Sequence, residues 1–307
     1  RKQEFLDSAK YFAADVINHS GKKLLDSYES LFKYPYDNNA ESLFELQWVF
    51  AGASIWGTQN SMPEYLAYSP EISFGGWGGD KGATWWLLKQ YEGIAEQPDG
   101  TLKGRTLDQR LHATFMLPGF SYPEITMMTS KTKLVFPQTG TDQNFCNVKK
   151  YVIGSPIDLA GVASQQHYPN DTYMMRLAEL YMIYVEASIG NNSSTTDATA
   201  LSYFNKVHMR AGLPEWLVSG PNANGPLTLD VVFSERFKEF AMEGMAWYDL
   251  VSLHYWNPSK AFSILNSQDR GLFFTKADQV PNPTQWTFTK TSWFSERTIN
   301  ANEGNFL

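Results

Sequence analysis

The sequence predicts a mostly α-helical protein. Helical hairpins of tetratricopeptide type form its scaffold, with long loop-rich insertions and a few short strands. Apolar residues recur with the 3.6-residue period of an amphipathic helix near the N-terminus and again between residues 172 and 211. A polar loop joins two of these helices, as in an antiparallel hairpin of about 34 residues. Residues 52–83, rich in Gly, Pro, Ser and aromatics, are typical of a long structured loop.

The first elements follow from local patterns. A helix is predicted over residues 3–20, because its apolar residues share one side and Gly21 suits its C-terminal cap. The alternating segment SLFELQWVFA, residues 42–51, predicts a strand. Further along, TWWLLKQYEGI (residues 84–94) indicates a helix, and RLHATFML (residues 110–117) is interpreted as a strand.

The C-terminal half has the strongest helical signal. Residues 172–189 form the clearest amphipathic pattern, and Asp197 suits the N-cap of a second helix over residues 198–211. A third helix is predicted to start near Thr228 and to run through residues 231–250. The aromatic-rich segment WTFTKTSWF, with Trp286 and Trp293, is interpreted as a strand or a second ligand platform.

Composition excludes several functional classes. The 307-residue chain has a net charge of -7 and no basic run, which argues against nucleic-acid binding. Cys146 is the only cysteine, so no disulfide lies within the chain and no cysteine-based zinc site is possible. Aromatic residues make up 15% of the chain, with 10 tryptophans, enough to supply stacking platforms for flat ligands or sugar rings.

Three motifs in the C-terminal half carry a family resemblance. DTYMMRLAELYMIYVEA is followed by FNKVHMRAGLP and then by SERFKEFAMEGMAWYDL. In this order and combination the chain resembles the SusD/RagB family of Bacteroidetes outer-membrane lipoproteins, although Ala246, Ser252 and His208 depart from its common residues. The segment AKYFAADVINHSGKKLLDSYESLF, residues 9–32, is similar to a helix and loop of the same family.

The resemblance implies a nutrient-binding protein of the outer membrane, displayed at the cell surface. It would hold a glycan, cap a SusC-type TonB-dependent transporter, and be lipid-anchored through an N-terminal cysteine absent from this chain. It also implies one SusD-like domain over residues 1–307, which we expect to be truncated at both ends. The helical scaffold would comprise residues 1–50 and 172–260, with ligand-binding insertions over 51–171 and an aromatic-rich segment over 261–307.

Glu235, Glu239 and Glu243 recur every four residues, which on one helix would place them in a single stripe. Glycoside hydrolases also use paired carboxylates, but across a cleft. The intervening apolar residues favour an ion-paired structural helix, in which Arg236 can reach Glu239. The resemblance likewise assigns this block to the scaffold. The structural motif that it implies consists of Arg176, Glu179, Glu235, Arg236, Glu239, Glu243 and Asp249.

Other catalytic signals are weak. The histidines, His19, His112, His167, His208 and His254, lack metal-ligand spacing such as i, i+4. There is no Gly-x-Ser-x-Gly elbow, and GGWGGD lacks the lysine of a phosphate loop. Cys146 is interpreted as a buried, inert thiol. We therefore expect no catalytic residue, no metal and no cofactor; a structural calcium ion has no support in the sequence.

The resemblance places the ligand site in loops, and residues 52–91 are the best candidates. Trp77 ranks first because glycines on both sides expose it, although a loop plug packed on the core is an equal alternative. Trp56 and Tyr65 rank second. Trp85 and Trp86 are adjacent on a predicted helix, so at most one can be an exposed platform. Polar partners that could bind sugar hydroxyls are Gln59, Asn60, Asp80 and Lys81.

Several functions stay open at this point. The leading hypothesis is a non-catalytic glycan-binding protein with an oligosaccharide ligand and a transporter partner. The alternative within the family is a RagB-like member that binds peptides or glycoproteins. Two further hypotheses are a glycoside hydrolase that uses the acidic residues and a helical scaffold that binds only protein.

Overall fold

Long helices lie at the start of the chain and between residues 177 and 267, whereas short helices and strands occupy the middle. The computed structural model describes residues 1–34, 36–50, 59–77, 79, 81–137, 146–292 and 294–296. Its helices are α1 Gln3–His19, α2 Met62–Leu66, α3 Trp85–Leu88, α4 Arg110–Thr114, α5 Leu177–Ile189, α6 Ala198–Arg210, α7 Leu229–Glu239, α8 Met245–Trp256 and α9 Pro258–Ser267.

The strands are short and antiparallel. They are β1 Ser42–Leu46, β2 Ile94–Glu96, β3 Leu102–Gly104, β4 Ser121–Thr126, β5 Lys133–Val135, β6 Thr172–Arg176, β7 Ser194–Thr195, β8 Leu227–Thr228, β9 Asp269–Arg270, β10 Phe273–Ala277, β11 Trp286–Lys290 and β12 Ser295–Glu296. One sheet has the order β10-β11-β3-β2, and the other strands form the pairs β1–β6, β4–β5, β7–β8 and β9–β12. The predicted fold class, mostly helical with a few short strands, is confirmed.

The N-terminal helix and the central hairpin match their sequence patterns. Helix α1 packs on α5 through Leu6 and Ala13, and α5 packs antiparallel against α6. The Asp197 carboxylate caps α6 by accepting a 2.8 Å hydrogen bond from the Ala200 backbone N–H.

Within the described residues, none of the helices combines the length and the hydropathy that a membrane span requires.

The helix predicted over residues 172–189 is wrong in its first five residues. Residues 172–176 form β6, which pairs with β1 so that Tyr173 lies opposite Glu45 and Arg176 opposite Ser42. Because β1 supplies a hydrogen-bonding edge, the extended conformation wins over the local helical pattern. Met174 and Met175 are consequently exposed instead of lying on a buried helical stripe. Strand β1 is also shorter than predicted. The Trp48 N–H donates to the Asp171 carboxylate at 2.8 Å and takes no part in the pairing of β1 with β6.

The single helix predicted from Thr228 through residue 250 is two helices. Thr228 does cap α7, as expected, by accepting from the Val231 N–H at 3.3 Å. The chain then turns after α7, where Met242 and Gly244 both have positive φ angles, and α8 starts at residue 245. Glu243 therefore lies in the turn, so the three glutamates do not share one helical stripe.

Two shorter segments also differ from the prediction. Residues 110–114 of RLHATFML form helix α4 and not a strand, because Asp108 accepts from the Arg110 backbone N–H and starts the turn. The helix predicted over residues 84–94 shrinks to α3. Gly93 has a φ of +87° and passes so close to the Arg105 carbonyl that a Cβ would lie 2.2 Å from its oxygen. The chain bends there into β2.

Helix α7 joins two apolar cores. Its Val232, and Phe240 at its C-terminal cap, belong to a core formed with α1, α5 and α6. Its Phe233 and Phe237 belong to a larger core that contains the four-stranded sheet and the middle segments. The charged side chains in the last two turns of α7 are thus buried between two hydrophobic clusters.

Candidate functional site

The glutamates of α7 lie in a buried network of ion pairs. Glu235 and Glu239 expose 2% and 0% of their surface, so an unpaired charge at either position would carry a large desolvation cost. Lys238 of α7 and four cations from other segments form ion pairs with them and with the neighbouring acids. The carboxylates are Glu41, Asp108, Glu235, Glu239 and Glu243, and the cations are Lys150, Arg110, Arg176, Arg210 and Lys238.

Arg176 connects the end of β6 to three of these acids. Its Nε and Nη2 each donate to the Glu243 carboxylate at 2.8 Å, in the bidentate geometry that suits a guanidinium. Its Nη1 donates to Glu41 at 2.7 Å and to Glu239 at 2.9 Å. Strand β6 therefore positions one side chain that ties α7 to the segment before β1.

Arg110 makes the corresponding connection from α4. Its Nε and Nη2 donate to Asp108 at 2.8 and 2.6 Å. Its Nη1 donates to Glu235 at 2.8 Å and to Glu239 at 3.3 Å. Glu235 also contacts the His208 Nδ1 at 3.2 Å.

These contacts fix the charge states of the glutamates. Burial alone would raise the pKa of each carboxyl group, but neighbouring cations outweigh it. Arg210, Arg176 and Arg110 lower the pKa of Glu239, and Arg176 and Lys150 lower that of Glu243. The carboxylates are ionised, ion-paired and enclosed by protein. This is the arrangement of a structural network and not of a general acid beside a substrate.

The remaining motif residues form a second, smaller ion-pair group. Arg236 donates from Nε and Nη2 to Asp249 at 2.8 and 2.6 Å. Its Nη2 also lies 4.0 Å from Glu179. The expected pairing of Arg236 with Glu239 is wrong, because the break after α7 brings α8 back alongside it and presents Asp249.

An exposed aromatic pair marks the candidate ligand site. The rings of Tyr65 and Trp77 meet edge to face, with centroids 5.4 Å apart and an interplanar angle of 75°. Their exposed fractions are 50% and 43%, so neither side chain is a plug packed in the core. The structure thus brings together two of the residues that the sequence singled out.

Two backbone contacts hold the loop at residues 76 and 77. The Trp77 N–H donates to the Glu64 carbonyl at 3.0 Å, which ties the loop to α2 and to neighbouring Tyr65. Gly76 has a φ of +63°, and a Cβ there would lie 2.2 Å from the Ser69 carbonyl carbon. Only glycine therefore permits this close crossing of two chain segments.

A buried carboxyl group lies beneath the pair. Glu64 accepts a hydrogen bond from the Gln166 N–H at 2.8 Å, and burial raises the pKa of Glu64. Its Oε2 is buried and has no hydrogen-bond partner among the described residues. A Cβ on Gly75 would lie 3.1 Å from this oxygen and 3.0 Å from the Trp77 indole nitrogen. The floor of the pair is therefore filled, and a ligand can reach only its outer surface.

The other predicted site residues have different surroundings. Trp85 is 2% exposed and packs edge to face on Phe273, so it is not a ligand platform. Trp86 is partly buried against Phe237, with ring centroids 5.0 Å apart. Of the tryptophan pair, neither offers the open face that Trp77 has.

The polar candidates are mostly engaged within the protein. Asn60 is buried, and its side-chain amide donates to the Asn170 carbonyl at 2.9 Å, so it supports the loop instead of facing a ligand. The Gln59 amide donates to Gln166 at 2.8 Å. Lys81 is exposed. Trp56, Asp80 and Trp293 lie outside the described residues.

Sequence reasoning missed half of the ion network. Glu41, Asp108, Arg110, Lys150 and Arg210 lie far from the recognised glutamates in the chain, and RLHATF was interpreted as a strand. One signal was present: acidic and basic residues inside apolar segments have to find partners when those segments are buried.

Cys146 is buried as expected, and burial raises the pKa of its thiol to about 12.

No metal centre accompanies these residues. Within the part of the chain that the structure describes, no group of three or more His, Cys, Asp or Glu side chains is arranged to hold a metal ion.

Comparison with known proteins finds relatives that agree with one another in family and in fold. A model of the SusD family matches residues 29–282. A SusD-like protein of Bacteroides ovatus is 36% identical over 274 residues, which cover 88% of this chain and 45% of that protein. A protein whose crystal structure contains xylogluco-oligosaccharide has 29% sequence identity to this chain. The two structures superpose with a TM-score of 0.76 over 98% of this chain and 57% of the other.

More distant structures share the fold. A laminarin-binding SusD-like protein is 23% identical with a TM-score of 0.56, over 85% of this chain and 53% of that one. This chain spans about half the length of the relatives that it matches.

Glu239→Gln is expected to destabilise the fold by roughly 3–5 kcal/mol, because it removes the acceptor shared by buried guanidinium groups. Urea denaturation at pH 7 measures the change. The control is Glu215→Gln at an exposed position. Equal stabilities of the two variants would contradict the network.

The free energy of unfolding should fall as the pH drops below about 4.3, the usual pKa of glutamate in an unfolded chain. The folded-state pKa values of Glu235, Glu239 and Glu243 are lowered, so their stabilising contribution is present above that pH and is lost on acidification. Denaturation curves between pH 7 and pH 3 measure the slope. A shallower slope in Glu239→Gln would assign it to the network, and a flat wild-type profile would contradict it.

Gly76→Ala should cost more stability than Gly100→Ala. Both glycines have left-handed φ angles, so each alanine carries a strain of about 1 kcal/mol. Only at Gly76 does the new Cβ also meet backbone, whereas nothing lies within 4 Å at Gly100. Thermal unfolding compares them, and equal losses would show that the crossing at Ser69 is not tight.

Proposed function

We propose a glycan-binding function for this chain, which belongs to the SusD family. The observation that carries the proposal is the exposed edge-to-face pair of Tyr65 and Trp77 on a rigidly held loop. Pyranose rings have apolar C–H faces that stack on aromatic side chains, while their hydroxyl groups bond to polar neighbours. The relative crystallised with xylogluco-oligosaccharide supports this class of ligand.

The protein binds its ligand without cleaving it. The carboxylates that a hydrolase would need are Glu235, Glu239 and Glu243, and all three are enclosed and ion-paired. The Glu64 carboxyl group, which lies beneath the aromatic pair, is buried and accepts a hydrogen bond from the Gln166 N–H. Binding and release of an intact oligosaccharide is the chemistry that this arrangement supports.

In the proposed biological role, the chain captures oligosaccharides at the cell surface and passes them to a SusC-type TonB-dependent transporter. Family membership supports this role. Lipid anchoring by a cysteine outside the chain, and a single SusD-like domain with residues 1–50 and 172–260 as scaffold, belong to the same proposal.

Trp77→Ala should weaken oligosaccharide binding about tenfold or more, because it removes one ring of the stacking surface. Calorimetry with cellohexaose, laminarihexaose, maltohexaose and a xyloglucan heptasaccharide measures the affinity. Trp247→Ala is the control, since Trp247 is a 53% exposed tryptophan on α8.

Reducing ends are assayed in the same samples. Saturable heat without new reducing ends, lost in Trp77→Ala and kept in Trp247→Ala, is the expected result. Release of reducing ends, or equal effects of the two substitutions, would contradict the proposal.

A further inference from the structure

A cleft of about 500 Å³ is lined by the segments that flank β1 and by the loop of residues 162–171, which also supports the aromatic pair. That loop contributes to both places. Its Gln166 N–H bonds to Glu64 beneath the pair, and its Val162 lines the cleft. Val162 also packs on a small apolar cluster. Phe74, which is three residues before Trp77, packs on the same cluster.

The polar wall of the cleft is held by hydrogen bonds. The Asp171 carboxylate accepts from the Trp48 N–H at 2.8 Å and from the Asn38 amide at 3.0 Å. Asp37 accepts from the Asp171 N–H at 3.0 Å through one oxygen. The Gln47 side-chain amide donates to Oδ1 of the Asn38 side chain. Carboxylate and amide oxygens are therefore fixed in place before any ligand arrives, which lowers the entropic cost of binding.

The charge of this wall selects the ligand. Asp37 and Asp171 are both acidic, and Glu45 bonds to the Asn38 N–H from behind. Burial raises the pKa of Asp37 to about 6, and the charges of Asp171 and Glu45 add to the effect. Such a wall repels anions, and it accepts hydrogen bonds from neutral hydroxyl groups.

The cleft also has an apolar lining. It consists of Trp48 and Phe50 with Val162 and Pro169. The Trp48 indole N–H donates to the Thr172 hydroxyl at 3.3 Å, which fixes the tilt of its ring. A cleft that offers both hydroxyl acceptors and aromatic rings matches a pyranose, which has apolar faces and a hydroxyl rim.

We propose that this cleft binds a neutral pyranose unit, as a second sugar position separate from the Tyr65–Trp77 pair. The proposal rests on the proposed glycan-binding function, because it assumes the same class of ligand. Because the loop of residues 162–171 contributes to both places, the two positions would engage two units of one oligosaccharide, and the chain would prefer long ligands over short ones.

The test uses two cleft variants and a matched control. Asn38 has a φ of +54°, so Asn38→Gly removes the amide without straining the backbone. Asp37→Ala removes the neighbouring acceptor. Asn282 has a φ of +62° in an exposed turn, so Asn282→Gly makes the same chemical change away from the cleft.

Calorimetry with cellohexaose, laminarihexaose and xyloglucan heptasaccharide should show Kd raised about three- to tenfold by each cleft variant, and unchanged by Asn282→Gly. Kd values within twofold of wild type in both cleft variants, with binding lost in Trp77→Ala, would overturn the second position and leave the proposed function standing. An equal rise in Asn282→Gly would also overturn it. A wild-type chain that binds none of the sugars would overturn both proposals.

Discussion

The ion pairs of Arg176 with Glu243 and of Arg110 with Glu235 and Glu239 hold separate parts of the chain in one structure. Each charge is buried, so it is tolerable only when its partners are in place. The partners come from the start of the chain, from the middle and from α7. Glu239 bonds to guanidinium groups on three segments. This requirement couples the segments, because the loss of one segment would leave buried charges on the others without partners.

The ion network and the proposed ligand site lie in different parts of the structure. Charged residues between two apolar cores specify how α7 packs, and Glu235, Glu239 and Glu243 are all ion-paired. The residues of the proposed ligand site lie on α2 and on a loop that the hydrogen bond from the Trp77 N–H to the Glu64 carbonyl ties to it. A buried ionic frame with exposed aromatic residues suits the proposed role of a protein that holds sugars and releases them unchanged.

Sequence reasoning succeeded where a pattern is local. The 3.6-residue period located α1, and Asp197 marked the start of α6. Errors arose where a distant segment decides. Residues 172–176 are extended because β1 lies beside them. The error in the third helix has a local cause, because the chain turns after α7, where Met242 and Gly244 have positive φ angles. Glycines on both sides of Trp77 predict its exposure, but its edge contact with Tyr65 depends on a fold that brings its loop against α2, and the cleft beside Asp37 also depends on the fold.

The central claim is that Trp77 and Tyr65 form the surface on which an oligosaccharide stacks. It is tested most directly by NMR of the tryptophan indole N–H groups during titration with xyloglucan heptasaccharide and laminarihexaose. The Trp77 signal is assigned by its absence in Trp77→Ala. This account predicts that the Trp77 signal shifts saturably, and that those of buried Trp85 and of Trp247 on α8 do not. A saturable shift of other indoles with Trp77 unmoved would contradict it.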